Sequence, residues 1–114
     1  MFTVRINDIF YMRGQGMVLA GRVESGTVRS GARALLLTPA TSVVAELAGL
    51  ERNRKLITRA AAGEDVALLF REVEPSALTG GVERVEPRKN EPPVWKVFDL
   101  KVEEAPKRWW EFWG

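Results

Sequence analysis

The 114-residue sequence contains no cysteine and no histidine. Their absence excludes disulfides, thiol nucleophiles and thiolate or imidazole metal sites, and removes the usual acid–base residue of neutral-pH catalysis. Most small-enzyme chemistry goes with them, and neither a metal nor a cofactor is expected. No window approaches the ~20 apolar residues that span a membrane as a helix. The opening MFTVRINDIFYMRG carries Asp8 early and has no uninterrupted apolar stretch, so it does not resemble a signal peptide. A soluble cytoplasmic protein is the expectation.

The sequence is 46% hydrophobic and 28% charged, which is enough apolar material for one packed core. The length suits a single domain. The net charge is only +2, but it is unevenly spread. Residues 1–59 hold nine Arg or Lys against four Asp or Glu, and residues 60–114 hold eight against eleven. An anionic partner would therefore prefer the first half.

Short apolar runs broken by glycine-bearing turns dominate the chain. Phe2, Val4 and Ile6 share one parity and Ile9 the other, which predicts a strand with a bulge at Asn7 and Asp8. Arg13-Gly14-Gln15-Gly16 reads as a turn whose glycines can take positive φ. Met17 to Val23 is the clearest strand, and Glu24-Ser25-Gly26 predicts a tight hairpin into Thr27 and Val28. Leu35–Leu37, a single strand from Val43 to Leu50, Val66–Phe70 and Val82–Val85 complete the body, with Arg52 to Lys55 as a basic loop. Strands of this kind predict an all-β fold, a small closed antiparallel barrel of about six strands, since closure removes exposed edges. Residues 1–87 form this body. Residues 88–93, with Pro92 and Pro93, read as a stiff linker. Residues 94–114 form an extension, with one further strand or a docking arm and then an aromatic-rich end.

The series Asp8-Ile9-Phe10, Arg13-Gly14-Gln15-Gly16, Met17 to Val23, Glu24-Ser25-Gly26, Leu50-Glu51, Arg54-Lys55 and Ala62-Gly63-Glu64-Asp65-Val66 resembles the second domain of elongation factor Tu and related translational GTPases. The resemblance covers roughly residues 2–86 and implies the β-barrel module that follows the GTP-binding domain in that family. There the module contacts the aminoacyl end of transfer RNA and faces the small ribosomal subunit. Transfer RNA or ribosomal RNA is thus the implied partner. The resemblance carries the family's glutamate near the aminoacyl end onto Glu51, and its following basic pair onto Arg54 and Lys55. The aromatic between them is Asn53 here, which alters any pocket built on that ring, and the family's asparagine after Ala-Gly-Glu is Asp65. The chain is then a detached domain, a fragment of a larger protein or a stand-alone paralogue.

The phosphate-binding pattern Gly-x-x-x-x-Gly-Lys-Ser/Thr does not occur in the sequence, so GTP hydrolysis is not expected from it. The functional expectation is a non-catalytic, RNA-associated or translation-related binding module. Arg13, Arg22, Arg52, Arg54 and Lys55 are the candidate phosphate contacts, because guanidinium pairs bidentately with phosphate. The alternative for each is a solvated surface charge. Glu51 or Glu64 with Asp65 could be imagined as catalytic carboxylates, but surface acids explain them more simply. The alternative function is a protein-interaction or structural accessory domain using the C-terminal end. There Trp109, Trp110, Phe112 and Trp113 would form a clasp on the barrel, a hot spot for a partner, or a membrane-surface contact beside Lys107 and Arg108.

Overall fold

The computed structural model describes residues 1–12, 14–86 and 94–106. Among them, one 3-10 turn at Pro75–Ala77 interrupts an otherwise β architecture. The strands are β1 (Thr3–Met12), β2 (Gly16–Ser25), β3 (Thr27–Arg29), β4 (Arg33–Leu37), β5 (Ser42–Glu46) and β6 (Gly49–Arg52). They continue as β7 (Lys55–Ile57), β8 (Arg59–Ala61), β9 (Asp65–Phe70), β10 (Val82–Val85), β11 (Val94–Val97) and β12 (Lys101–Glu104).

Eight strands form one antiparallel sheet in the order β5-β4-β12-β1-β2-β9-β6-β7, and β3–β8 and β10–β11 form separate two-stranded ribbons. The expected closed barrel is therefore corrected: the terminal strands β5 and β7 do not pair with each other. The reason is the shortness of those edges and the chain that lies between them. β7 has three residues and β5 five, and the β3–β8 ribbon intervenes. Ser30 N donates to Thr58 O at 3.0 Å at the ribbon's own end, and Gly31 N just beyond β3 donates to Leu47 O, between β5 and β6, at 2.8 Å. Short edges of this kind resist edge-to-edge pairing without closure.

The predicted Glu24-Ser25-Gly26 hairpin is also corrected, because β3 pairs with β8 and not with β2. Gly26 has φ of +73°, and a Cβ there would overlap the Met1 carbonyl, so the chain turns away at a point only glycine fits. The single strand expected from Val43 to Leu50 divides into β5 and β6. Leu47 between them is buried, and its amide donates to Ala32 O at 2.9 Å. The last correction concerns the C-terminal arm. β12 lies inside the sheet, paired on one side with β1 and on the other with β4. No aromatic cluster stands at the C-terminal end of the described residues, and Trp109, Trp110, Phe112 and Trp113 lie outside them.

The bulge at Asn7 is present: Ile6 pairs with Gly21 and Asp8 with Ala20, leaving Asn7 unopposed. It moves the buried positions of β1 from Val4 and Ile6 to Ile9. These side chains join Met17, Leu19 and Val23 of β2, Leu36 of β4, Leu50 of β6, Leu68 and Phe70 of β9 and Val102 of β12 in one apolar core. No helix of the described residues is long and apolar enough to cross a membrane.

Candidate nucleic-acid interface

The core fixes the site through the strands that alternate above it. On β2, Met17, Leu19 and Val23 point inward, so Ala20 and Arg22 face out. On β9, Leu68 and Phe70 point inward, so Asp65, Ala67 and Leu69 face out. Register then sets the outer rows. Asp8 pairs with Ala20, Ala20 with Ala67, Ala67 with Glu51, and Glu51 with Leu56, so these residues cross the sheet side by side. Small side chains in the middle of that row, between acidic residues, leave an open cleft of about 390 Å³.

Its walls and floor come from four places in the sequence. The bulge residues Asn7 and Asp8 form one side, and Asp65 to Ala67 lie beside Ala20 and Gly21 along the floor. The β6–β7 hairpin supplies the other wall with Glu51, Arg52, Asn53 and Arg54. Arg52 pairs with Lys55, so the loop has only two residues, Asn53 with φ of +53° and Arg54 with φ of +65°. Positive φ at both central residues is the mirror-image turn that matches strand twist. Asparagine suits the first position, but the second usually takes glycine. A left-handed non-glycine residue costs about 1–2 kcal/mol, so Arg54 is held at the tip at a cost to stability.

The basic candidates separate by their partners. Arg22 Nε lies 3.5 Å from Asp65 Oδ1 across the β2–β9 register, and Arg52 pairs with Glu64. Glu64 Oε1 also accepts the Ala61 amide at 3.2 Å, which anchors the acid next to β8. Arg54 and Lys55 form no ion pair among the described residues and remain exposed. Thus Glu51, Asn53, Asp65, Arg52 and Arg54 come together around one cleft. Arg22 is engaged with Asp65 at its rim, Lys55 begins β7 next to the tip, and Arg13 lies outside the described residues.

Sequence reasoning singled out Asp65 but missed the rest of the floor, Ala20, Gly21, Val66 and Ala67, and the far wall. Asn7 and Asp8 were visible as a break in parity, but nothing in their spacing placed them opposite residues 51–54. The Gly14-Gln15-Gly16 turn borders a second cleft of about 330 Å³ with Tyr11 and residues 71–74. The Gln15 amide donates to Met12 O at 2.9 Å, so that donor closes the turn and is not offered to an anion. Among the described residues, no group of three or more Asp or Glu is placed to hold a metal ion.

No protein-family model matches the sequence. Among solved structures, the chain is similar to translation elongation factor SelB from Methanococcus maripaludis in its apo form, with a TM-score of 0.61 and 19% identity. The chain has a translation-factor-like fold. The match covers 75% of this chain and 20% of that one, so the likeness is to a fifth of SelB.

Proposed function

We propose that this chain is a non-catalytic RNA-binding module of the translation-factor type, the counterpart of the second domain of elongation factor Tu and its relatives. It takes an unpaired RNA end into the cleft between the Asn7 bulge and the β6–β7 hairpin. The observation that carries the reading is the placement of Arg54: an exposed guanidinium that enters no ion pair among the described residues, held in a left-handed turn at the lip of that cleft.

The chemistry of the walls supports it. Asp8, Glu51 and Asp65 offer carboxylate acceptors to base amino groups and ribose hydroxyls, while Arg54 at the lip and Lys55 next to it, outside the lining, offer donors to phosphate. Single-stranded ends suit such a cleft because their bases are already free of a duplex. Transfer RNA and ribosomal RNA both present such segments, and the fold shared with a translation factor favours them as the class of partner.

The test is binding of fluorescently labelled transfer RNA across a salt series. Affinity falls as salt rises, and Arg54→Glu with Lys55→Glu weakens it at least tenfold while the far-ultraviolet circular dichroism is retained. Binding that ignores both charge reversals removes the assigned cleft.

A further inference from the structure

Strands β3 and β8 form a two-stranded ribbon in which Thr27 pairs with Ala61, Val28 with Ala60, and Arg29 with Arg59. Val28 and Ala60 are buried, and this fixes which side of the ribbon faces the core. Arg29 and Arg59 therefore project from the opposite side, directly across from one another and exposed. Residues paired in this way have Cβ atoms only ~4.5–5.5 Å apart, and like charges there are destabilising.

A comparable pair shows how such a conflict is relieved elsewhere. Arg52 also stands opposite a cation, Lys55, but Arg52 is neutralised by Glu64. Arg29 and Arg59 have no such acid, and neither enters an ion pair among the described residues. Two adjacent guanidinium groups with no counterion among the described residues form a ready clamp for a phosphate oxygen pair.

The ribbon is also placed to extend the cleft. Lys55 and Arg59 are four residues apart, so no more than about 14 Å of backbone separates them. The Ser30 amide donates to Thr58 O at 3.0 Å, holding the end of β3 against the chain that leaves β7. Arg54, Lys55, Arg59 and Arg29 thus follow one another from the hairpin tip to the ribbon.

We infer that Arg29 and Arg59 form a second phosphate-binding site, which grips the RNA backbone a few nucleotides away from the end held in the cleft. This inference rests on the proposed RNA-binding role and adds the path of the strand. It assigns the clamp to phosphodiester and not to free phosphate, because the Arg54–Lys55 pair lies within the same short reach.

The test uses the full chain with labelled single-stranded RNA of about four and about twelve nucleotides. The double variant Arg29→Gln with Arg59→Gln is expected to bind the longer RNA roughly tenfold more weakly, with the slope of log affinity against log salt reduced by about 1.4 for two lost phosphates. Binding of the shorter RNA is unchanged. In parallel, Arg29→Glu replaces a repulsive pair with an attractive one, so it raises the melting temperature by about 2–4 °C while it weakens the longer RNA. Arginine Hε–Nε NMR signals of the pair should move with the longer RNA and stay still with inorganic phosphate alone.

Equal binding of the longer RNA by the native chain and the double glutamine variant, with the same salt slope, overturns the clamp. If Arg54→Glu still abolishes binding in that case, the cleft stands without it. Equal loss on both RNA lengths, or a response to inorganic phosphate alone, also overturns the backbone assignment. If the native chain binds neither RNA, the clamp and the RNA-binding role fall together.

Discussion

Gly21 lies so close to Arg5 that a Cβ in its place would overlap the Arg5 carbonyl oxygen and stand 3.0 Å from the Ile6 Cα. The close approach occurs where β1 bulges at Asn7, and both Asn7 and Gly21 line the cleft. Gly21→Ala must push β1 from β2, at a cost of about 1–3 kcal/mol. A lower midpoint in urea denaturation checks this. Gly49→Ala is the control, since its Cβ would meet only the Leu69 side chain, at 3.7 Å or more. Stability there should change by less than about 1 kcal/mol.

Arg54 occupies a backbone conformation that glycine adopts freely. Arg54→Gly is expected to stabilise the chain by about 1 kcal/mol, seen as a higher melting temperature, while RNA affinity drops several-fold. A structural residue would not behave in this way, because its removal would weaken the fold. Arg54→Ala keeps the strained φ and removes the charge, so it should lose affinity without the gain in stability.

Much of the fold can be read from local pattern. The parity change after Ile6 announces the bulge, and the apolar run Val66 to Phe70 announces β9. What the pattern misses are choices of partner. Thr27 to Arg29 follows a turn that usually returns a hairpin, yet it pairs with β8, thirty or more residues away. Nothing in a three-residue strand encodes that choice, which depends on Val28 and Ala60 reaching the core together. Lys101 to Glu104 enters the middle of the sheet between β1 and β4, and its sequence gives no sign of which edge it will fill. Open-sheet geometry was missed for the same reason: alternation reports the face of a strand, not whether its two outermost neighbours meet. Of the basic run singled out in the sequence, residues 52–54 line the candidate cleft and Lys55 lies next to it. The opposite wall at Asn7 and Asp8 was not, because register alone brings the two walls together.

The Arg52–Glu64 pair offers a test of how far the cleft stabilises itself. Its side chains remain 45% and 32% exposed, so solvent screens their attraction. A double-mutant cycle with Arg52→Ala and Glu64→Ala should return a coupling of about 0.2–1 kcal/mol. Glu64→Ala alone should cost more than Arg52→Ala, since it also removes the acceptor of the Ala61 amide. Chemical denaturation of the four proteins in the cycle gives both quantities.

Leu50 and Leu56 sit on neighbouring strands and separate the fold from the site. Leu50 is fully buried in the core, so Leu50→Ala should cost about 2–5 kcal/mol. Leu56 is 79% exposed and lies opposite Glu51 on the outer face, beside the cleft. Its removal should leave stability within about 0.5 kcal/mol. An exposed apolar side chain beside the carboxylate can cover the face of a bound base, and partial burial of a leucine contributes about 1 kcal/mol. Leu56→Ala should therefore weaken RNA roughly fivefold without changing the salt slope, because no phosphate contact is lost. A parallel loss of slope would place Leu56 in the electrostatic path instead, and unchanged affinity would mean that the bound base does not reach β7.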